Sequence, residues 1–240
     1  ARMILALETA TDRASVAVGH SEAHAIEESV TGARRHASAL IPMISAALER
    51  AGATLGDISV IAVSDGPGSF TGLRVGAVVA KALVHARRLP LWTAPSLMVR
   101  AAGAARPDAL IVAVSDALRG EIYAAAYRFA GGSIVTELAP TVCRAEELAA
   151  RLPVPAIIVG DVPEPSSQVL EHWSGRALVP SPGGAPTAIR LLGVVGRPGG
   201  AREVVAADGW EPAYGRPAEA QARWETTHGR PLPDSAGSSR

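Results

Sequence analysis

Short apolar runs alternate with turn residues from the start of the chain. Residues 3–8, 14–19 and about 23–30 are apolar or alternating, and Thr11-Asp12-Arg13 and Gly19-His20-Ser21 punctuate them. That pattern predicts three consecutive antiparallel strands. From His36 to Ala51, Leu40, Met43, Ile44, Ala47 and Leu48 recur at helical spacing, and Gly52 supplies a stop. Ile58 to Val63 reads as a buried strand that Ser64-Asp65-Gly66-Pro67-Gly68 breaks sharply. A second helix is predicted from about Thr71 to Arg88, weighted by Val75, Val78, Val79, Ala82, Leu83 and Val84. Pro90 closes it before the short strand Leu91-Trp92-Thr93.

The order then restarts. Ala109–Ser115, Glu121–Phe129 and Ser133–Leu138 predict three more strands. A helix at Glu146–Leu152, a strand at Ala156–Val159 and a helix at Thr187–Val195 follow, with Pro-rich interruptions at 163–165 and 180–186. Two tandem βββαβα-like units predict a duplicated α/β protein, its sheets mixed because the first three strands of each unit are hairpin-linked. The expected division is an N-terminal domain over 1–102, a smaller degenerate domain over 103–200, and a closing segment over 201–216. Residues 217–240, rich in Gly, Pro, Ser and Asp from Gly229 onward, are expected to be a disordered tail.

Composition narrows the functional classes. The chain is 48% apolar and 19% charged, as soluble globular proteins are. Basic and acidic residues balance at 23 each, so the basic excess of a protein that grips nucleic acid by itself is missing. Arg34-Arg35 and Arg87-Arg88 read as solvated helix-end charges. Cys143 is the only cysteine, which excludes an intrachain disulfide and argues against a Cys-based metal site. No run reaches the roughly 18 apolar residues needed to span a bilayer, and no signal-peptide order is visible at the N-terminus. A cytoplasmic protein is expected.

The most distinctive stretch is Gly66-Pro67-Gly68-Ser69-Phe70-Thr71-Gly72-Leu73-Arg74-Val75-Gly76. Physically it is a strand end, a tight turn and a helix start, where Ser69 or Thr71 can cap free amides and Phe70 can staple the entry. It is not a P-loop, because no Gly-Lys-Ser/Thr follows. The whole string resembles the signature of the TsaB (YeaZ) family. The resemblance continues at Met3 to Thr11, at Arg35-His36 with Leu40-Ile41-Pro42-Met43, at Asp116-Ala117 through Gly120-Glu121-Ile122-Tyr123, and at Glu211-Pro212-Ala213-Tyr214. It covers roughly residues 3–216 and implies an actin-like, Hsp70-like and sugar-kinase-like (ribonuclease H-like) fold of two related domains. It also implies a non-catalytic subunit that pairs with the TsaD transferase and, through that dimer, with the ATPase TsaE. Together they would place a threonylcarbamoyl group on the tRNA adenosine next to the anticodon, this chain meeting tRNA only indirectly.

The chain departs from the family pattern at Glu8, where an Asp is usual, at Leu118, where an Arg is usual, and beyond Arg216. TsaD carries two His four apart on a helix, and the matching places here are Ser96 and Arg100, so no metal-holding imidazole pair is expected. His20, His24, His36, His85, His172 and His228 form no ligand motif, and Gly-x-Ser-x-Gly occurs nowhere. No catalytic, cofactor or metal residue is therefore assigned. Glu121 and Tyr123 alternate on a strand and share a face.

The expected function is a docking face. Gly72, Gly76 and Ala80 make a small-residue stripe, and two glycines inside a helix argue that some backbone comes near, either a partner's or the chain's own. Pro42 inside the first helix implies a late start or a kink turning His36, Leu40 and Met43 outward. His36, Leu40, Met43, Ile44, Ala47, Gly72, Leu73, Gly76 and Ala80 are the expected contacts to TsaD, or to a second copy of the chain when TsaD is absent. A small-molecule kinase of the same fold and an interaction module unrelated to tRNA are the alternatives.

Overall fold

The computed structural model describes residues 2–32 and 35–214. Strand β1 (Met3–Glu8) is buried along nearly its whole length, which is why it reads as an unbroken apolar run instead of an alternating one. It lies between β2 (Arg13–Gly19), antiparallel, and β4 (Ile58–Ser64), parallel. With β3 (Ala25–Thr31), β5 (Leu91–Ala94) and β10 (Arg202–Glu203), the first sheet has the order β10-β5-β4-β1-β2-β3. The second contains β6 (Leu110–Asp116), β7 (Ile122–Ala130), β8 (Ser133–Cys143) and β9 (Ile157–Asp161) in the order β8-β7-β6-β9. Reading β3-β2-β1-β4 against β8-β7-β6-β9 gives the same arrangement twice, with the first and fourth strands parallel in each. The duplication expected from the sequence is present, in mixed sheets.

Helices α1 (His36–Arg50) and α2 (Phe70–Arg87) cover one face of the first sheet, burying Leu40, Ile44, Ala47, Leu73 and Ala80. Helices α4 (Ala145–Arg151) and α5 (Glu164–Ser174) do the same for the second sheet, where Leu148 and Leu170 meet Leu110, Val112 and Val114. The third helix of each unit crosses over. The helix α3 (Ser96–Ala102) packs on β6, β7 and β9, whereas α6 (Ala188–Val194) packs on β1 and β2, and the two helices touch. Side chains at the start of the first sheet hold the start of α6: the Ala188 amide donates to Ser15 Oγ at 2.8 Å and the Ile189 amide to Glu27 Oε1 at 2.9 Å. A cut at residue 102 thus separates β1–β5 from β6–β9 but not their packing, because α6 and β10 belong physically to the first sheet.

The sequence pattern passed over two helices. The helix α3 is buried at every residue from Ser96 to Ala101 and is only seven residues long, so it has no solvent-facing side to create a period. The helix α5 begins inside the Pro-rich stretch taken for an interruption, with proline in its first turn, where the missing N–H costs nothing. Pro42 neither delays nor kinks α1 into presenting its apolar side. The helix starts at His36, and Pro42 sits on the exposed face, as does Ser38, the residue whose carbonyl it deprives of a helical donor. The segment after α6 returns to the first unit. There Arg202 pairs with the buried Asp65 at 3.0 Å, Trp210 enters the core at 8% exposure, and the Ala213 amide donates to the Asp65 carbonyl at 2.6 Å. The expected tail at 217–240 lies outside the described residues, as does the end of the closing segment beyond Tyr214. Among the described residues, no helix is long and apolar enough to cross a membrane.

Candidate functional site

The carboxyl ends of β1, β4, β6 and β9 face one another, and a cavity of about 520 Å³ opens between the two units there. Such strand ends are where open α/β sheets usually hold ligands. The β1–β2 turn brings Thr11 and Asp12 to the cavity, the glycine turn brings Gly68 and Ser69, and the second unit brings Asp116, Tyr123 and Asp161. Arg100 reaches it from α3, with the guanidinium 3% exposed. That guanidinium donates to Asp161 at 2.9 Å and to the Gly184 carbonyl at 2.7 Å. Partial burial works against the charged form of Asp161, but the Ser181 hydroxyl and amide and then Arg100 hold its carboxyl below the ordinary value.

The two positions matched to TsaD histidines are both committed to the protein itself. Ser96 Oγ donates to the Pro67 carbonyl and locks α3 to the glycine turn, and Arg100 bridges α3 to β9. Among the described residues, no group of three His, Cys, Asp or Glu is placed to hold a metal ion. Glu8 does not reach the cavity. It is fully buried, its Oε1 accepts from the Ala10 amide at 2.7 Å, and Oε2 has no hydrogen-bond partner within 3.5 Å among the described residues. Burial pushes its carboxyl up to about 7, against the Ala10 hydrogen bond and the charge of Arg100. Leu118 stands exposed in a turn of left-handed residues at the rim. Tyr123 lines the cavity and Glu121 immediately precedes its strand.

The glycine motif turns out to be packing chemistry. Added Cβ atoms at Gly68 and Gly72 would strike the Ala10 and Thr9 carbonyls, and one at Gly76 would strike the Thr9 hydroxyl. The backbone that comes near is therefore the chain's own β1–β2 turn. Ser69, and not Thr71, caps α2 through the Gly72 amide at 3.3 Å. Phe70 lies 4.6 Å from the Tyr214 ring between centroids, with the Arg74 guanidinium 5.1 Å above it, so the closing segment covers the motif.

This overturns the expected docking set. His36, Leu40, Met43, Ile44, Ala47, Gly72, Leu73, Gly76 and Ala80 are all buried inside the chain. His36 donates from Nε2 to the Asp12 carbonyl at 3.1 Å, pinning α1 to the β1–β2 turn. A stripe of Leu, Met and Ile is what a sheet-covering helix turns inward, and the spacing does not reveal which surface it meets. The solvent-facing residues are others: Ile41 and Pro42 on α1, and Arg74, Val78 and Ala82 on α2. Ile41 is 54% exposed and Val78 66%.

Comparison with known proteins agrees with this architecture. The family model described as "TsaD: tRNA N6-adenosine threonylcarbamoyltransferase" matches residues 23–161. The Escherichia coli K12 "tRNA threonylcarbamoyladenosine biosynthesis protein TsaB" is 38% identical over 130 residues, which are 52% of this chain and 54% of that protein. The match therefore spans about half of that relative's length. The Bacillus subtilis protein of the same name is 28% identical over 232 residues, covering 92% of this chain and 96% of its own. A crystal structure from Pseudomonas aeruginosa, described as an uncharacterized protein similar to peptidase YEAZ, superposes with a TM-score of 0.75 at 28% identity. It covers 90% of this chain and all of its own. A duplicated mixed-sheet fold, a glycine turn sealed under its own helix and these relatives point one way: the chain belongs to the TsaB (YeaZ) family.

Proposed function

We propose that this protein serves tRNA threonylcarbamoyladenosine biosynthesis as a non-catalytic scaffold that binds the TsaD transferase and, through that pair, TsaE. The observation that carries the reading is the fate of Ser96 and Arg100. Where the transferase resemblance puts metal-holding imidazoles, this chain has a hydroxyl and a guanidinium already bonded to its own backbone and to Asp161. A match to the TsaD family model is what common descent of the two subunits would leave.

The docking face in this reading is the outer side of α1 and α2, with Ile41, Pro42, Val78 and Ala82 replacing the buried set. Paralogous units pairing through equivalent helices would form a pseudo-twofold four-helix contact, and the same face would close a homodimer in the absence of TsaD. Co-expression with tagged TsaD tests it. Ile41→Glu and Val78→Glu lie at exposed positions and are expected to melt with the parent protein yet lose co-purification. Folded variants that both still bind TsaD would show the face to be wrong. Depletion tests the pathway itself, because threonylcarbamoyladenosine is then expected to vanish from tRNA hydrolysates; unchanged levels would favour an interaction module unrelated to tRNA.

A further inference from the structure

A second cavity, of about 430 Å³, opens at the amino end of β9, the opposite end from Asp161 and the interdomain cleft. Its volume lies within the range that holds small ligands. Ile157 and Val179 supply apolar side chains to its lining, and Gly103 and Gly183 contribute no side chain. Two arginines line it, Arg106 from the segment after α3 and Arg176 from the turn after α5. Among the described residues, no carboxylate lines it. Neither guanidinium takes part in an ion pair among the described residues, although seven pairs occupy cations elsewhere. The backbone that presents Arg176 is held locally, its amide donating to Ser174 Oγ at 3.2 Å while that hydroxyl donates to the Arg176 carbonyl at 3.1 Å.

We infer that this cavity binds a small phosphate monoester with a compact apolar body. Guanidinium groups match phosphate oxygens with paired donors, and two of them without ion-pair partners, beside the side chains of Ile157 and Val179, suit a ligand with an anionic head and a small hydrophobic remainder. A dianionic monoester presents two charges to the two arginines, whereas a phosphodiester strand offers one charge per phosphate. The inference stands apart from the scaffold reading, since none of the lining residues lies on α1 or α2.

Titration of the full chain with phenyl phosphate, followed by amide NMR shifts, tests it. Saturable shifts are expected at Gly103, Ala177 and Gly183. Phenol and inorganic phosphate, each carrying half of the recognition, are expected to bind more weakly. Arg106→Ala and Arg176→Ala should each weaken phenyl phosphate by at least about tenfold, with the Lys variants intermediate. Both positions are exposed, so the variants should melt with the parent; Arg→Gln replaces any that does not. Absence of saturable shifts at these amides, equal binding by the double Ala variant, or equal affinity for phenol would each overturn the inference. So would tighter binding of a short RNA strand than of the monoester at the same amides.

Discussion

The two repeats end their first strands in the same way and then treat that end oppositely. Glu8 closes β1 and its carboxylate accepts the amide two residues on, from Ala10 at 2.7 Å. Asp116 closes β6 and accepts the amide of Leu118, also two residues on, at 2.8 Å. In the first repeat α2 is pressed onto this turn through Gly68, Gly72 and Gly76, and Glu8 is left without any exposure. In the second repeat no described residue seals the turn: Asp116 lines the cavity, and Leu118, Arg119 and Gly120 are exposed. One supersecondary plan thus yields a dry, backbone-packed end and a wet, charged one. The glycines are a consequence of sealing and do not by themselves mark a ligand site.

The comparison breaks most visibly at the sealed end. Gly72→Val would drive a branched side chain into the Thr9 carbonyl and beside the His36 ring. Main chain cannot yield as a flexible side chain can, so the loss of stability is expected to exceed about 4 kcal/mol, seen as absence of a cooperative melt. A folded Gly72→Val protein of near-parental stability would mean that α2 does not lie on the turn.

Sealing also predicts an unusual pH dependence. The Glu8 carboxyl titrates near 7 in the folded chain against an ordinary 4.5, because burial disfavours its charged form. A raised folded value means that the folded state holds the proton longer. The associated stability is fully present below the unfolded value, is lost as pH rises to about 7 and stays lost above it, by about 3 kcal/mol in all. Burial raises Asp65 as well, against its Arg202 partner, and it adds to the slope in the same direction. Denaturant midpoints of parent and Glu8→Gln isolate the Glu8 share. The Gln variant is expected to lose the decline between about pH 5 and about pH 7 and to be the more stable of the two above it. Parallel profiles would show that Glu8 is not dry.

The succession of strands along the chain, the mixed sheets, the restart near residue 109 and the turn at Gly66 were all legible in the sequence, because each rests on local periodicity or turn chemistry. What was not legible depended on which surface meets which. Leu40, Met43 and Ile44 announce an apolar stripe, but not that β2 and β3 already cover it. Gly72 and Gly76 announce a close approach, but only the fold names Thr9 as the group approaching. The helix α3 is short and has no solvent-facing side to reveal it, and the exchange of α3 and α6 between the sheets has no local signature. The cleft residues come from turns up to 170 positions apart, from Thr11 to Ser181, and single-chain patterns do not report such meetings.

The open end provides the smallest and most discriminating change. Gly120 has a φ of +77°, and a Cβ built there meets nothing within 4 Å. Only backbone preference opposes Gly120→Ala, and that costs about 1 kcal/mol, part of it returned by the lower entropy of the unfolded chain. The neighbours support so modest a figure, since Leu118 and Arg119 already carry side chains at φ values of 63° and 56° in the same turn. A thermal melt lowered by only a few degrees is expected. If Gly120→Ala instead abolished folding as Gly72→Val is expected to do, the second repeat's turn would have to be sealed as well, and the contrast between a dry end and a wet one would collapse.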